Sequence, residues 1–278
     1  LNSLYNEMLS ATGDKTIQPI VTTIAGAIGK DILSNTDNVA IKDDNGNTVT
    51  IPAGFKIASD SPTKQEDGIV IEDKDGNQFV WIPVANISDY KRTSFMGENI
   101  SSVYTETMPS DEQTSVHTYK GYYIGRYEAG DITSTANKTL RESGASVTNK
   151  VSIKKDQAPY DCVTRDQAKT LAEGIKAVES YKATTKLCSS YAWDTAINFI
   201  QKTVANYGTS SNQGNYYDTT FSYTDITGAS QTKASSSSVL TPTGETTQIN
   251  SIYDMGGNDL EWTTETASVS GAPYVCRG

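Results

Sequence analysis

The sequence predicts an α+β fold built on antiparallel strands, and three observations carry that reading. Between Val39 and Ile82 apolar residues recur with a period of two around turns rich in Asp, Asn and Gly, the mark of β-hairpins. Between Thr164 and Val204 two segments carry the i, i+3, i+4 apolar spacing of amphipathic helices. The 278 residues are only 36% hydrophobic, yet 16 Tyr and 3 Trp add large packing bodies, enough for one large domain or one domain with a smaller appendage.

Residues 1–35 read as an N-terminal helix or the remnant of a stalk. Ile20, Ile24, Ile28 and Ile32 recur every fourth residue with Ala27 beside them, behind Asp14 and Pro19, although Gly26 and Gly29 weaken the helix. Residues 36–67 follow as a β-hairpin linker element. Val39 and Ile41 face Val49 and Ile51 across Asp43-Asp44-Asn45-Gly46-Asn47, where Asn-Gly supplies the positive φ of a tight turn. The unit repeats at once, with Ile69-Val70-Ile71 and Phe79-Val80-Trp81-Ile82 flanking Asp73-Lys74-Asp75-Gly76-Asn77, and Pro83 ending the strand. Neither loop has the bidentate Glu that closes an EF-hand, so both read as turns.

Residues 85–118 read as polar and irregular, and Tyr119 to Glu128 as a strand rich in aromatics. Thr164-Arg165-Asp166-Gln167 is a capping box that opens a helix carrying Ala168, Leu171, Ala172 and Ile175. A second helix over about 189–204 has Ser189 or Ser190 as N-cap and Tyr191, Ala192, Ala196, Ile197, Ile200 and Val204 on its apolar side. Residues 208–250, dominated by Gly, Ser, Thr, Asn and Tyr, are too polar for a core of their own and read as a long surface loop. Trp81, Tyr123, Trp193 and Trp262 are expected in or beside the core.

Composition narrows the function classes. With 23 Lys+Arg against 33 Asp+Glu the net charge is −10, which excludes nucleic-acid binding by general phosphate attraction. No run approaches the ~18 apolar residues of a membrane helix. The 65 Ser and Thr, with abundant Tyr and few Cys, suit an extracellular protein on a bacterial or phage surface. His117 is the single histidine, so a Ser-His-Asp or Cys-His site, and most zinc or iron sites, would all fall on a residue with no motif around it. Cys162, Cys188 and Cys276 lie far apart with no C-x-x-C spacing and read as small packing residues, so no catalytic residue is assigned.

Four stretches, taken in order, point to a family. Tyr122-Tyr123-Ile124-Gly125-Arg126-Tyr127-Glu128 is a strand ending in Glu; Lys186-Leu187-Cys188-Ser189-Ser190-Tyr191-Ala192-Trp193-Asp194 is a helix start. Asn250-Ser251-Ile252-Tyr253-Asp254-Met255-Gly256-Gly257-Asn258-Asp259-Leu260-Glu261-Trp262-Thr263 is the most specific, and Tyr274-Val275-Cys276-Arg277-Gly278 closes the series. The second is similar to "R-L-P-T-E-A-E-W-E", with Cys188 in place of Pro; the third matches "G-L-Y-D-M-x-G-N-V-W-E-W-T"; the last looks like the opening of an "R-G-G" strand. These motifs belong to formylglycine-generating enzymes (sulfatase-modifying factors), whose domain is a variant of the C-type lectin fold, and the resemblance spans about residues 68–278.

The resemblance implies a C-type lectin-like domain whose closing strands follow the "R-G-G" segment. It thus implies either that the chain continues past Gly278 or that a partner strand pairs with the C-terminal edge. It also implies calcium near Asn258 and Glu261, the two candidate metal ligands; the competing reading is a buried hydrogen-bond pair, because one amide and one carboxylate fall short of about 6–8 oxygen ligands. The family's oxidases use a cysteine pair placed after "R-G-G", and its iron relatives a histidine cluster, and neither is in this sequence. What remains is the non-enzymatic branch: variable proteins of diversity-generating retroelements, phage receptor-binding tips and bacterial display proteins, some with a pilin-like helix before the domain. The expectation is a surface-display or ligand-binding protein for a protein or glycan ligand, with calcium the one cofactor the resemblance admits and ligand-binding residues unassigned. The alternatives are an oxidase whose cysteines lie beyond Gly278, or a structural subunit of a pilus-like filament or virion.

Overall fold

A computed structural model describes residues 23–29, 37–95, 104–132, 147, 151–175, 182–208, 213–225 and 227–278. The chain is of the mixed α+β class, with several small antiparallel sheets. In order it runs through α1 (Ile24–Ala27), β1 (Val39–Lys42), β2 (Thr48–Ile51), β3 (Phe55–Ile57), β4 (Val70–Asp73), β5 (Gln78–Pro83) and β6 (Tyr104–Thr105). Then follow α2 (Ser110–Tyr119), β7 (Gly121–Gly125), α3 (Arg165–Gly174), α4 (Ser190–Gln201), β8 (Phe221–Thr224), β9 (Ser230–Lys233), β10 (Glu261–Ala267) and β11 (Tyr274–Arg277). Among the described residues no helix is long and apolar enough to cross a membrane.

The central sheet has the order β3-β4-β5-β7, and the alternation along β5 decides what each face meets. Val80 and Ile82 pack on Trp193, Ala196, Ile197 and Ile200 of α4. Trp81, between them, points the other way into a second cluster with Ile24, Ile41, Ile51, Phe55 and Ile71. Gly121 on β7 makes that packing fit: a Cβ there would lie 2.3 Å from the Trp81 ring.

One turn is used three times. Asp43, Asp73 and Asp225 each accept two backbone N–H groups, from the residues two and four places on, through Oδ1 at 2.7–3.0 Å. Gly46, Gly76 and Gly228 take the positive φ at the fourth position, with values of 82°, 81° and 85°. A carboxylate thus satisfies the donors that the reversal of the chain leaves unpaired, which is why the sequence repeats Asp at the first place.

Several expectations meet a different structure. Helical residues among those described near the N-terminus are Ile24–Ala27, and the rest of the expected 1–35 helix lies outside the described residues. Residues 36–67 are not a separate linker: β3 pairs with β4 across the expected boundary at 67/68, and the Trp81 cluster draws on both sides. Within 85–118 lies helix α2, hidden because only Val116 of its ten residues is buried and no apolar stripe marks it. It holds through Asp111 and Glu112 in its first turn and a left-handed Lys120 at its end, and β7 starts directly after.

Within 208–250 lies the hairpin β8–β9. Its anchor is the Lys233 ammonium, 3% exposed, which donates to the carbonyls of Tyr216 (2.6 Å), Thr219 (2.7 Å) and Ser237 (3.1 Å). Three carbonyl dipoles around one buried charge fix a loop that has few apolar contacts to offer. The capping box at Thr164 and the N-cap at Ser189 form as the sequence predicts.

The third sheet, β11-β10-β6, is clamped to α4 by buried charge. Arg277 reaches Asp194 and Glu265 at 2.7 Å each, Arg92 also pairs with Glu265, and the Thr93 N–H donates to Asp194 at 2.8 Å. Trp81 and Trp193 are buried at 2% and 8% exposure. Trp262 is only half-buried at the margin of this sheet, where its Nε1–H donates to the Val163 carbonyl at 2.9 Å.

Candidate functional site

A cleft of about 750 Å³ opens between the central sheet and α3. Phe79 and Tyr123 line it from the sheet, Leu171 and Ala172 from the helix, and Tyr253 and Trp262 from the segment leading into β10. Tyr127 and Tyr253 stack with centroids 5.0 Å apart, and the Arg126 guanidinium, itself paired with Asp60, lies over both rings.

One end of the cleft is built from Glu128, just past β7, and the loop 254–261. The loop turns through positive φ at Asp254, Gly257 and Asn258, of 61°, 70° and 74°. Gly257 has no substitute there, since a Cβ would fall 2.6 Å from the Asn215 carbonyl. Asn258 does not pair with Glu261. Its Nδ2 donates to Glu128 at 2.6 Å and to the Thr241 carbonyl at 3.2 Å, while its Oδ1 accepts from Asn215, from the Thr241 N–H and from the Thr241 hydroxyl. Glu128 also accepts the Asp259 N–H at 3.0 Å. Asp254 accepts the Gly244 N–H at 2.6 Å and the Thr246 hydroxyl at 2.9 Å. Glu261 differs from all of these: its Oε2 is closed off from solvent and takes no hydrogen bond.

These carboxyls share one electrostatic condition. Burial, reinforced by their mutual repulsion, holds Glu128 and Glu261 well above the usual carboxylate range. Burial also raises Asp254 and pushes Asp259 up to about 6. No lysine or arginine among the described residues offsets any of the four.

The fit to calcium is poor as the side chains stand. Asn258 Oδ1 is already spent on three hydrogen bonds, and among the described residues no group of three or more His, Cys, Asp or Glu is arranged to hold a metal ion. The loop is locked by Asn258 and Glu128, a pairing across 130 residues that no spacing in the sequence discloses. The detectable signal was the density of Asp254, Asn258, Asp259 and Glu261 within eight residues.

None of the cysteines forms a disulfide. Burial pushes the Cys188 thiol far above its ordinary value and that of Cys276 upward, so both are poor nucleophiles. Cys162 does not pack as expected: it is exposed at a left-handed φ of 56°, with its thiol 3.3 Å from Asp161 at the cleft. His117 is exposed in the last turn of α2, remote in sequence from any of these groups. No protein-family model matches the chain, and no curated protein and no solved structure matches it either.

Proposed function

We propose that this chain is a non-enzymatic binding protein displayed on a bacterial or phage surface, in which a C-type lectin-like domain holds a ligand in the cleft between the central sheet and α3. The observation that carries the reading is the cleft itself. Its volume of about 750 Å³ falls in the range of small-molecule and side-chain sites, and its walls carry aromatic side chains with charged groups at either end. Such walls suit a sugar ring or a protruding peptide side chain, the protein or glycan ligand that the motif resemblance implies. The motifs at Tyr122–Glu128 and at 250–263 support the lectin-type reading because both contribute to one site.

The test is a glycan and peptide array followed by titration of tryptophan fluorescence. Ala172→Trp, which fills the cleft from the partly exposed side of α3, should abolish binding of any hit while leaving the circular dichroism spectrum unchanged. A hit that binds Ala172→Trp as tightly as the parent protein would place recognition elsewhere and end this reading.

A further inference from the structure

Resting on the reading of the cleft as a ligand site, we propose that its ligand carries a positively charged amine. The ammonium group sits at the end formed by Glu128, Asp259 and Glu261, and the alkyl chain lies along the aromatic wall.

Charge is distributed unevenly along the cleft. Nine charged side chains line it, seven of them acidic. Its two lysines are already partnered, Lys182 with Asp37, and Lys186 with Asp111 and Glu112 at 2.8 and 2.9 Å. That end is neutralised from within. The other end holds four carboxyls with which no lysine or arginine among the described residues pairs, and Glu261 among them has a buried oxygen without a hydrogen bond. Arg126, the nearest guanidinium in sequence to Glu128, is committed to Asp60, Gln78 and the Ser251 carbonyl.

An ammonium suits this place better than the other common ligand groups. A phosphate or carboxylate would meet only acids. A neutral hydroxyl would satisfy lone pairs but leave the repulsion among the carboxyls in place. An alkylammonium brings three donors and a charge, and its methylenes find Tyr253 and Trp262 to cover. Burial raises the affinity of these carboxyls for protons and a bound cation lowers it, so cation binding and protonation oppose each other.

Spermidine is the probe, titrated calorimetrically at pH 7.5 in phosphate and in Tris, with maltotriose as an uncharged control and calcium chloride as a competing cation. Saturable spermidine binding is expected, and the difference in heat between the two buffers reads whatever protons are released with it. Glu261→Gln and Asp259→Asn should each weaken it about tenfold, equivalent to roughly 1.4 kcal/mol, while Asp111→Asn at the neutralised end changes it less than about twofold. Melting curves of each variant establish that it is folded. Absence of spermidine binding, binding indifferent to both variants, or displacement by calcium at equal concentration would each overturn the proposal. Maltotriose binding that Ala172→Trp removes and Glu261→Gln spares would overturn the amine while leaving the cleft as the ligand site.

Discussion

Two groups of buried carboxylates occupy this molecule, and they are treated in opposite ways. Asp194 and Glu265, each without exposed surface, meet Arg277 from β11, and Glu265 meets Arg92 as well. Glu128, Asp254, Asp259 and Glu261 meet amides, hydroxyls and each other, and no cation among the described residues. In the first group opposite charges supplied by distant segments close the β10–β11 sheet against α4. In the second group like charges gather at the end of an open cleft, where only a proton or an incoming cation relieves them. Carboxyl burial therefore serves structure where the partner is built in, and the group in which it is left out lies at the ligand site proposed above.

The largest effect is expected from removing the built-in partner. Arg277→Met leaves Asp194 with the Thr93 N–H and Glu265 with Arg92 alone. Breaking a buried pair strands a charge in low dielectric and costs about 3–5 kcal/mol. Urea unfolding at pH 7.5 measures it, and a loss below about 1 kcal/mol would show that the clamp is solvated enough to dispense with its arginine.

The next effect is read by pH. Burial pushes the folded Asp259 up to about 6 from its ordinary value of 3.8, so at pH 7.5 both states are ionised and the folded state bears the burial penalty. As pH falls through 6 the folded state takes up the proton first, and stability rises until the unfolded chain is protonated too, near pH 4. Glu128, Asp254 and Glu261 act in the same sense, as does Asp194, which burial pushes up to about 6 although Arg277 pulls it down. Asp43, Asp60 and Asp111 are lowered and withdraw their support only below their ordinary range, so the two tendencies do not overlap. The melting temperature should rise between pH 7.5 and 5, by the equivalent of about 1–3 kcal/mol. Glu261→Gln should flatten the rise. A melting temperature that falls steadily over this interval would mean that the cleft carboxyls are already compensated.

What the sequence disclosed follows the range of the interactions. The hairpins and the helix caps at Thr164 and Ser189 rest on contacts within a few residues, and their signatures were legible. Helix α2 and the β8–β9 hairpin were not, because Val116 is the one buried residue of α2 and the hairpin buries Phe221 and Lys233 alone of its strand residues, and neither leaves a periodic trace. At the site, the family resemblance drew attention to Asn258 and Glu261, but the partner of Asn258 is Glu128, which only the folded chain brings near. The sheet β3-β4-β5-β7 likewise crosses the boundary expected at residue 67, where the motif resemblance begins, since pairing between distant strands leaves no local mark.

The smallest expected effect keeps the bonding constant and varies burial alone. Asp73 and Asp225 anchor the same turn, each holding the N–H groups two and four places on and a side-chain amide through its second oxygen. Asp73 is 3% exposed, and Asn77, which it orients, carries the Ile153 N–H at 2.9 Å and so ties the turn to the segment beyond β7. Asp73→Ala strips the acceptor from three donors, two of them on the buried Asn77, which costs about 2–3 kcal/mol. Asp225 lies at the outer hairpin, where hydrogen bonds, that of the Thr227 hydroxyl first, hold its pKa at about 2 but water replaces them when they are lost. Asp225→Ala should leave the urea midpoint where it is and speed hydrogen exchange only across β8–β9. Equal shifts of the midpoint in the two variants would show that the turn geometry, rather than its burial, sets the cost of an unpaired carboxylate site.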